Sequence, residues 1–450
     1  MDMWLSQELH NYWKNITRCS LRKDGRMKQV LCALIMLFPM VSYGASVNLS
    51  DCAQASVVSA INNSSSGDTI TCPAGNWSWS DVNITKNITL QGAGIGSTII
   101  SLSNLAALES PSSYTGAFRI TGFTFKGTSG SANGDWDFGM VRIDNGHGFR
   151  IDHNEFQIYS NTCNGTGGNG IGVWHDSAGL IDHNRFVPGG GSGCIHYAVA
   201  YFNSGTTNTS NDATEYSWLN FDSNTVLRSA DHTLFIEDNY FYNPTDTSPH
   251  GTHAGYGGFG GVTVFRHNEI HNMDFNAHGL ESSHSAFAYE VSNNAWIQDV
   301  SHGLYRAIVL RGGTGVVYNN TKSGSGTINH GIELWCERAS GNPGASNVDV
   351  YVPRYGTVRG NQLCPEGHPC AETIGRGQNQ SSDPLYIWGN ASIFSDIIKD
   401  GANSSISGSD YYLNSGAKPG YSSYTYPHLL QGGGGGPASI PNPPSGLSIN

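Results

Sequence analysis

Phe149-Arg150-Ile151-Asp152-His153-Asn154-Glu155-Phe156 is the first full copy of a phrase that recurs along this 450-residue chain. Its pattern is an apolar residue, two variable positions, Asn, one variable position, and then Phe or another apolar residue. It returns as Leu180-Ile181-Asp182-His183-Asn184-Arg185-Phe186 and as Phe235-Ile236-Glu237-Asp238-Asn239-Tyr240-Phe241, with weaker copies at 265–270, 291–296, 317–321, 358–363 and 387–393. The Asn residues are 30 apart from Asn154 to Asn184, 29 from Asn239 to Asn268, 26 from Asn268 to Asn294, 26 from Asn294 to Asn320, and 29 from Asn361 to Asn390. Longer gaps of 55 (Asn184 to Asn239) and 41 (Asn320 to Asn361) fit one skipped copy and one long insertion. A period near 27 residues with short β-type segments predicts a solenoid with one coil per repeat, strands stacking about 4.8 Å apart. The alternating apolar residues point into the coil. The Asn amide both donates and accepts, so equivalent Asn side chains can bond from coil to coil and hold a turn.

Composition fits an all-β chain: 58 Gly, 11% aromatic and only 13% charged residues, so surface polarity rests on Ser, Thr and Asn. Met27-Lys28-Gln29, an apolar run from Val30 to Val41 and the small-residue exit Ser42-Tyr43-Gly44 read as a secretory leader, which predicts a secreted protein. No apolar run is long enough for a membrane span. The expected division is a leader at 1–44, a β-helix domain at 45–430 and a Gly/Pro-rich tail at 431–450, with a short capping helix over 52–66 closing the open end. The Tyr-rich segment 411–430 is expected to fold back on the last coils. Without the leader, 17 basic residues face 32 acidic ones, which excludes nucleic acid and anionic lipid as partners and weighs against a bare polyuronate.

Cys163 and Cys194 follow Asn154 and Asn184 by nearly equal steps, which places them on adjacent coils and predicts a disulfide. Cys52–Cys72 would staple the cap, and Cys364–Cys370 is the simplest remaining loop, leaving Cys336. The short paired spacings of a zinc site are missing.

The stretches Gly67 to Trp79 (GDTITCPAGNWSW) and Ile84 to Gly96 (ITKNITLQGAGIG), with the recurring Ile-Asp-His-Asn phrase, resemble secreted right-handed parallel β-helix proteins of the pectate-lyase-like superfamily over roughly 50–430. The resemblance implies an all-β, right-handed parallel β-helix of roughly ten coils with an N-terminal capping helix. It does not choose among the lyases, hydrolases and binders built on that fold.

In such a coil a first strand precedes each phrase, and ligand grooves commonly run along its outer face. The expected first strands run from 139–145 through 278–283 and 306–312 to 330–337 and 371–376. These segments hold most of the unusual polar residues. β-Elimination of a uronate needs a base, an acid and cations for the developing enolate, and the candidate catalytic residues are Arg311, Arg306, His278, Glu281 and Tyr305. His253, Tyr256, Trp335, Glu333 and Trp174 are the candidate substrate-binding residues, the aromatic rings among them being suited to stacking on sugars. Asp144 and Asp176 form an outward pair that could hold calcium. Glu281 with Glu333 would suit hydrolysis. Asp152-His153 and Asp182-His183 sit beside the Asn column and read as structural, and Glu237 with Arg266 reads as a surface ion pair. The sequence therefore points to a secreted, monomeric, polysaccharide-active protein. A lyase is favoured, with a glycoside hydrolase or a non-catalytic carbohydrate-binding protein as alternatives.

Overall fold

The computed structural model describes residues 44–431 apart from 103–105, 130–138, 161–168, 175–176, 192–194, 203–232, 245–251, 259–260, 279–285, 287, 302, 337–348, 353–355, 360–373, 378–381 and 402–404. The expected leader, the tail beyond 431, and the cysteines Cys163, Cys194, Cys364 and Cys370 lie outside the described residues.

Three all-parallel sheets of ten, twelve and nine described strands wind through the chain. Gly139–Asp144 belongs to sheet 1, His147–Asp152 to sheet 2 and Glu155–Ser160 to sheet 3, after which Asn169–Trp174 returns to sheet 1 beside the strand that began the coil. The fold is a parallel β-helix, and its recurring strand-to-parallel-strand crossovers take the right-handed sense. Helix Gln54–Asn63 lies at the N-terminal end and buries Val57, Ala60 and Ile61. Cys52–Cys72 is disulfide-bonded, and the Trp79 indole donates to the Cys52 carbonyl at 2.9 Å.

Each position of the phrase has a physical task. Phe149, Ile151 and Phe156 have no exposed surface. The closing Phe residues stack inside the helix, Phe125 on Phe156 at 5.3 Å, Phe156 on Phe186 at 5.0 Å and Phe186 on Phe241 at 4.9 Å, each burial contributing about 1.5–3 kcal/mol. The Asn amides form the expected ladder. Nδ2 donates to the next Oδ1 from Asn154 to Asn184 (3.1 Å), Asn184 to Asn239 (3.1 Å), Asn239 to Asn268 (3.2 Å), Asn268 to Asn294 (3.0 Å), Asn294 to Asn320 (3.0 Å) and Asn320 to Asn390 (2.9 Å).

The residue before each ladder Asn turns the corner in left-handed conformation: His153, His183, Asp238, His267, Asn293 and Asn319 have φ of 53–58°, and Gly389 has 65°. Asn, Asp, His and Gly are the residue types that tolerate this region, so the repeated Asp-His dipeptides are corner geometry. His153 stacks on His183 at 5.0 Å, and each Nδ1 meets its neighbouring aspartate. Burial opposes ionisation of Asp152, but hydrogen bonds from Arg119 and His153 and the charge of Arg150 hold its carboxyl well below the usual range.

Three expectations are corrected. The Asn184–Asn239 and Asn320–Asn390 bonds join successive rungs directly, so both long gaps are insertions and no copy is skipped. The phrase at 358–363 is not a rung: Gly356–Arg359 pairs antiparallel with Asp349–Val352, a local hairpin that happens to match the pattern. The sheet 1 strand after Ile328–Cys336 is Ile397–Gly401, not 371–376.

The C-terminal segment does not stop at the last coils. It runs back along the outer face of sheet 2 as a strap. Tyr421 meets Glu290, and Tyr424 packs on the outward cluster of Leu180, Phe235 and Val264. Further along, the Leu430 carbonyl accepts from Arg150 at 2.9 Å. Glu237 and Arg266 are therefore not a surface pair. They are 0% and 1% exposed, 2.7 Å apart, and roofed by this strap. Arg266 donates to the Tyr424 and Thr425 carbonyls at 3.0 and 2.8 Å, while Glu237 accepts from the His428 backbone N–H at 2.9 Å and the Gln431 amide at 3.0 Å. Burial raises the Glu237 carboxyl against the pull of Arg266, and it pushes His428 down to about 4 with Arg266 assisting.

Candidate functional site

The site candidates converge on the outer face of sheet 1. Val141, Ile171, Val199, Phe275, Ile308 and Ile332 stand in register and enter the core. The next register position runs outward through Arg142, Gly172, Ala200, Tyr256, Asn276, Val309 and Glu333. A second outward row begins with Tyr197, His253 and Asp274 and continues with Arg306 opposite His330. The residue after each of its first four members, Ala198, Ala254, Phe275 and Ala307, belongs to the core, which fixes the row's outward aim.

Charge and aromatic surface alternate along these rows. His253 Nδ1 is hydrogen-bonded to Asp274 Oδ1. Arg306 Nε lies 3.7 Å from Asp274 Oδ2 and 2.9 Å from Glu333 Oε2, the latter an ion pair rather than an aligned hydrogen bond. The Arg306 guanidinium sits 5.0 Å from the Trp335 ring centre and 5.7 Å from that of Tyr305, and Arg311 sits 4.6 Å from Trp335. One coil on, His330 Nδ1 meets Asp396 Oδ2 at 2.9 Å, with Tyr305 edge-on to the imidazole at 5.3 Å. Toward the N-terminal coils Tyr197 stacks on Tyr256 at 4.1 Å and on His253 at 5.3 Å, and Trp174 joins them in one apolar cluster with Arg142 at 5.3 Å.

The two His–Asp pairs differ in access. The His253 side chain is 4% exposed and that of His330 is 28%. Burial pushes His196, whose ring lies 3.6 Å from that of Tyr197, down to about 3, and His253 adds to the effect. Burial also raises the Tyr197 phenol well above its ordinary value, with Tyr256 and Asp274 reinforcing and Arg311 opposing. The inner end of the face thus holds a neutral imidazole and a protonated phenol, and the outer end holds the accessible imidazole.

Of the residues singled out from sequence, Arg311, Arg306, Tyr305, His253, Tyr256, Trp335, Glu333 and Trp174 all come to this face. His278 ends the strand Asp274–His278, which starts earlier than the expected 278–283. Glu281 and Asp176 lie outside the described residues. Asp144 is in register with Trp174 and has Arg142 Nη2 at 3.7 Å. Among the described residues no group of three or more His, Cys, Asp or Glu is placed to hold a metal ion, and no helix is long and apolar enough to cross a membrane. Sequence reasoning missed Asp274 and Asp396. No repeated spacing from the ladder Asn marked Asp274.

No family model and no curated protein matches the chain. Solved structures are similar to it at low identity. An alginate lyase from Paenibacillus sp. str. FPU-7 is 14% identical, with 64% of this chain and 99% of that one covered and a TM-score of 0.38. A PL6 family polysaccharide lyase from Pseudopedobacter saltans is 13% identical over 86% and 89%, with a TM-score of 0.44. The ORF18 protein of Geobacillus virus E2 is 14% identical over 69% and 63%, with a TM-score of 0.28.

Proposed function

We propose that the protein is a secreted, monomeric polysaccharide lyase that cleaves uronate-containing glycans by β-elimination on the outer face of sheet 1. The observation that carries this reading is the placing of Arg306 and Arg311 on Trp335 next to Tyr305, His330 and Asp396. In β-elimination the C5–H bond breaks, a C4–C5 double bond forms and the C4–O bond breaks, with negative charge passing through the uronate carboxylate. The two guanidiniums supply a fixed positive field where that charge develops. His330, with Nδ1 engaged by Asp396, presents Nε2 to take the C5 proton, and the Tyr305 hydroxyl returns a proton to the departing oxygen. Trp335 gives a pyranose ring a face to stack on.

The charge pattern narrows the substrate. A pyranose unit is about as long as one coil is high, about 4.8 Å, so a glycan laid along the axis meets roughly one coil per sugar. Described charges on this face alternate in sign, Glu109, Arg142 and Asp144 at one end and Asp274, Arg306 and Glu333 at the other, on a chain of net charge −12. That alternation suits a uronate flanked by neutral sugars better than a homopolyuronate.

A hydrolase would use Asp274 and Glu333, whose carboxyl oxygens, both close to Arg306 Nε, lie within about 7 Å of each other, in the range of glycosidase acid pairs. A panel of acidic polysaccharides, with and without chelator, tests the proposal. Ultraviolet-absorbing unsaturated ends are expected. New reducing ends without that absorbance would select the hydrolase, and binding without product would select a carbohydrate-binding protein. Loss of turnover on chelation would support calcium at Asp144 and Asp176.

A further inference from the structure

We infer that Asp274 is a positioning residue for Arg306, and that His253 acts on Asp274 rather than on substrate. This rests on the lyase reading of the same face. The two oxygens of Asp274 are divided between two coils: Oδ1 is bound to His253 Nδ1 on one side and Oδ2 faces Arg306 Nε at 3.7 Å on the other. Asp274, His253 and Arg306 side chains are 7%, 4% and 2% exposed, so the line from imidazole to guanidinium is sealed from solvent along its length. Glu333 alone would leave the Arg306 fork free to swing about a single ion pair. A second carboxylate from the opposite coil holds it between the two and over Trp335. Asp274 in turn keeps its rotamer because His253 cannot rotate: its ring lies against Tyr197 at 5.3 Å and Tyr256 at 5.1 Å. A buried carboxylate shared in this way orders a cation whose field reaches the place where charge develops.

The experiment compares Asp274→Asn, His253→Leu and His253→Gln on the glycan that the wild type cleaves, at a temperature where circular dichroism shows all four proteins folded. Asp274→Asn and His253→Leu are expected to lower kcat about tenfold or more with KM within about twofold, the signature of a lost transition-state interaction. His253→Gln keeps a donor toward Asp274 and is expected to recover most of the difference from His253→Leu. Variants that melt earlier yet keep wild-type kcat when folded would overturn the inference and leave the lyase reading standing, as would His253→Gln no better than His253→Leu. A wild type that yields no unsaturated product from any glycan would overturn both.

Discussion

The outer faces of sheets 1 and 2 are built from the same coils yet obey opposite rules. At the corner that opens sheet 3, the coils from Asn154 to Asn390 repeat their residue types: an amide in the ladder, and a His, Asp, Asn or Gly turning the corner before it. On sheet 1 no two neighbouring coils agree. One register row reads Arg142, Gly172, Ala200, Tyr256, Asn276, Val309 and Glu333. Repetition is what stacking requires, because each coil must satisfy the one above and below it. Buried polar groups that do not repeat serve no stacking purpose and suit the face on which we propose the chemistry. Sheet 2 also carries buried charge, but there the chain supplies its own cover, the strap of residues 424–431.

Variants on the two faces should therefore fail in different ways. The largest effect is expected beneath the strap: Glu237→Ala leaves Arg266 buried beside an empty position and should cost about 3–5 kcal/mol. Chemical denaturation would measure it, and a loss below about 1 kcal/mol would show that the pair is solvated as a surface pair would be. On sheet 1, Arg311→Gln should lower kcat/KM by about 10²-fold or more, about 2.7 kcal/mol of barrier, in protein that circular dichroism shows to be folded. An equal fall in stability with turnover intact would place Arg311 among the structural residues.

A ladder residue should show the converse. Asn239→Ala strands the Asn184 backbone N–H and the Asn268 amide contact, costing about 1–3 kcal/mol without changing kcat of the folded protein. The last expected effect is from pH, and it builds up unit by unit. His196 is held neutral by burial down to about 3, whereas the unfolded chain takes up that proton near 6.5. Below about 6.5 the unfolded state binds a proton that the folded state refuses, so this group removes about 1.4 kcal/mol of stability per pH unit until about 3, and nothing above 6.5. His196→Phe should flatten that slope in melting curves between pH 6 and 4; an unchanged slope would show that His196 protonates freely in the fold.

Legibility followed the same division. The rung, the ladder and the inward Phe stack could be read because each is written several times at a fixed period, and the capping helix from its own short apolar pattern at the chain's open end. The Cys52–Cys72 bond could be read because it brackets one local unit. The outward row through Asp274 could not, since its members sit at different offsets from each Asn and acquire a common direction only where the strand starts place a neighbouring residue in the core. The strap was misjudged for a different reason. Its contacts reach 280 residues back to Arg150, and no periodicity encodes a partner that occurs once. The hairpin at 349–359 shows the reverse error, in which a four-residue match of apolar residue and Asn imitated a rung. Arg306, Arg311, Tyr305 and Trp335 were accessible from sequence as a cluster, but not the sharing of Asp274 and Glu333 by one guanidinium, which depends on which side chains face across adjacent coils.

The most direct test is a crystal structure of the Tyr305→Phe variant with an oligosaccharide that contains a single uronate. The account predicts the uronate ring over Trp335, its carboxylate toward Arg311 and Arg306 and its C5 beside His330 Nε2. Density for the sugar along sheet 2 or sheet 3 instead, with the sheet 1 face unchanged, would contradict it.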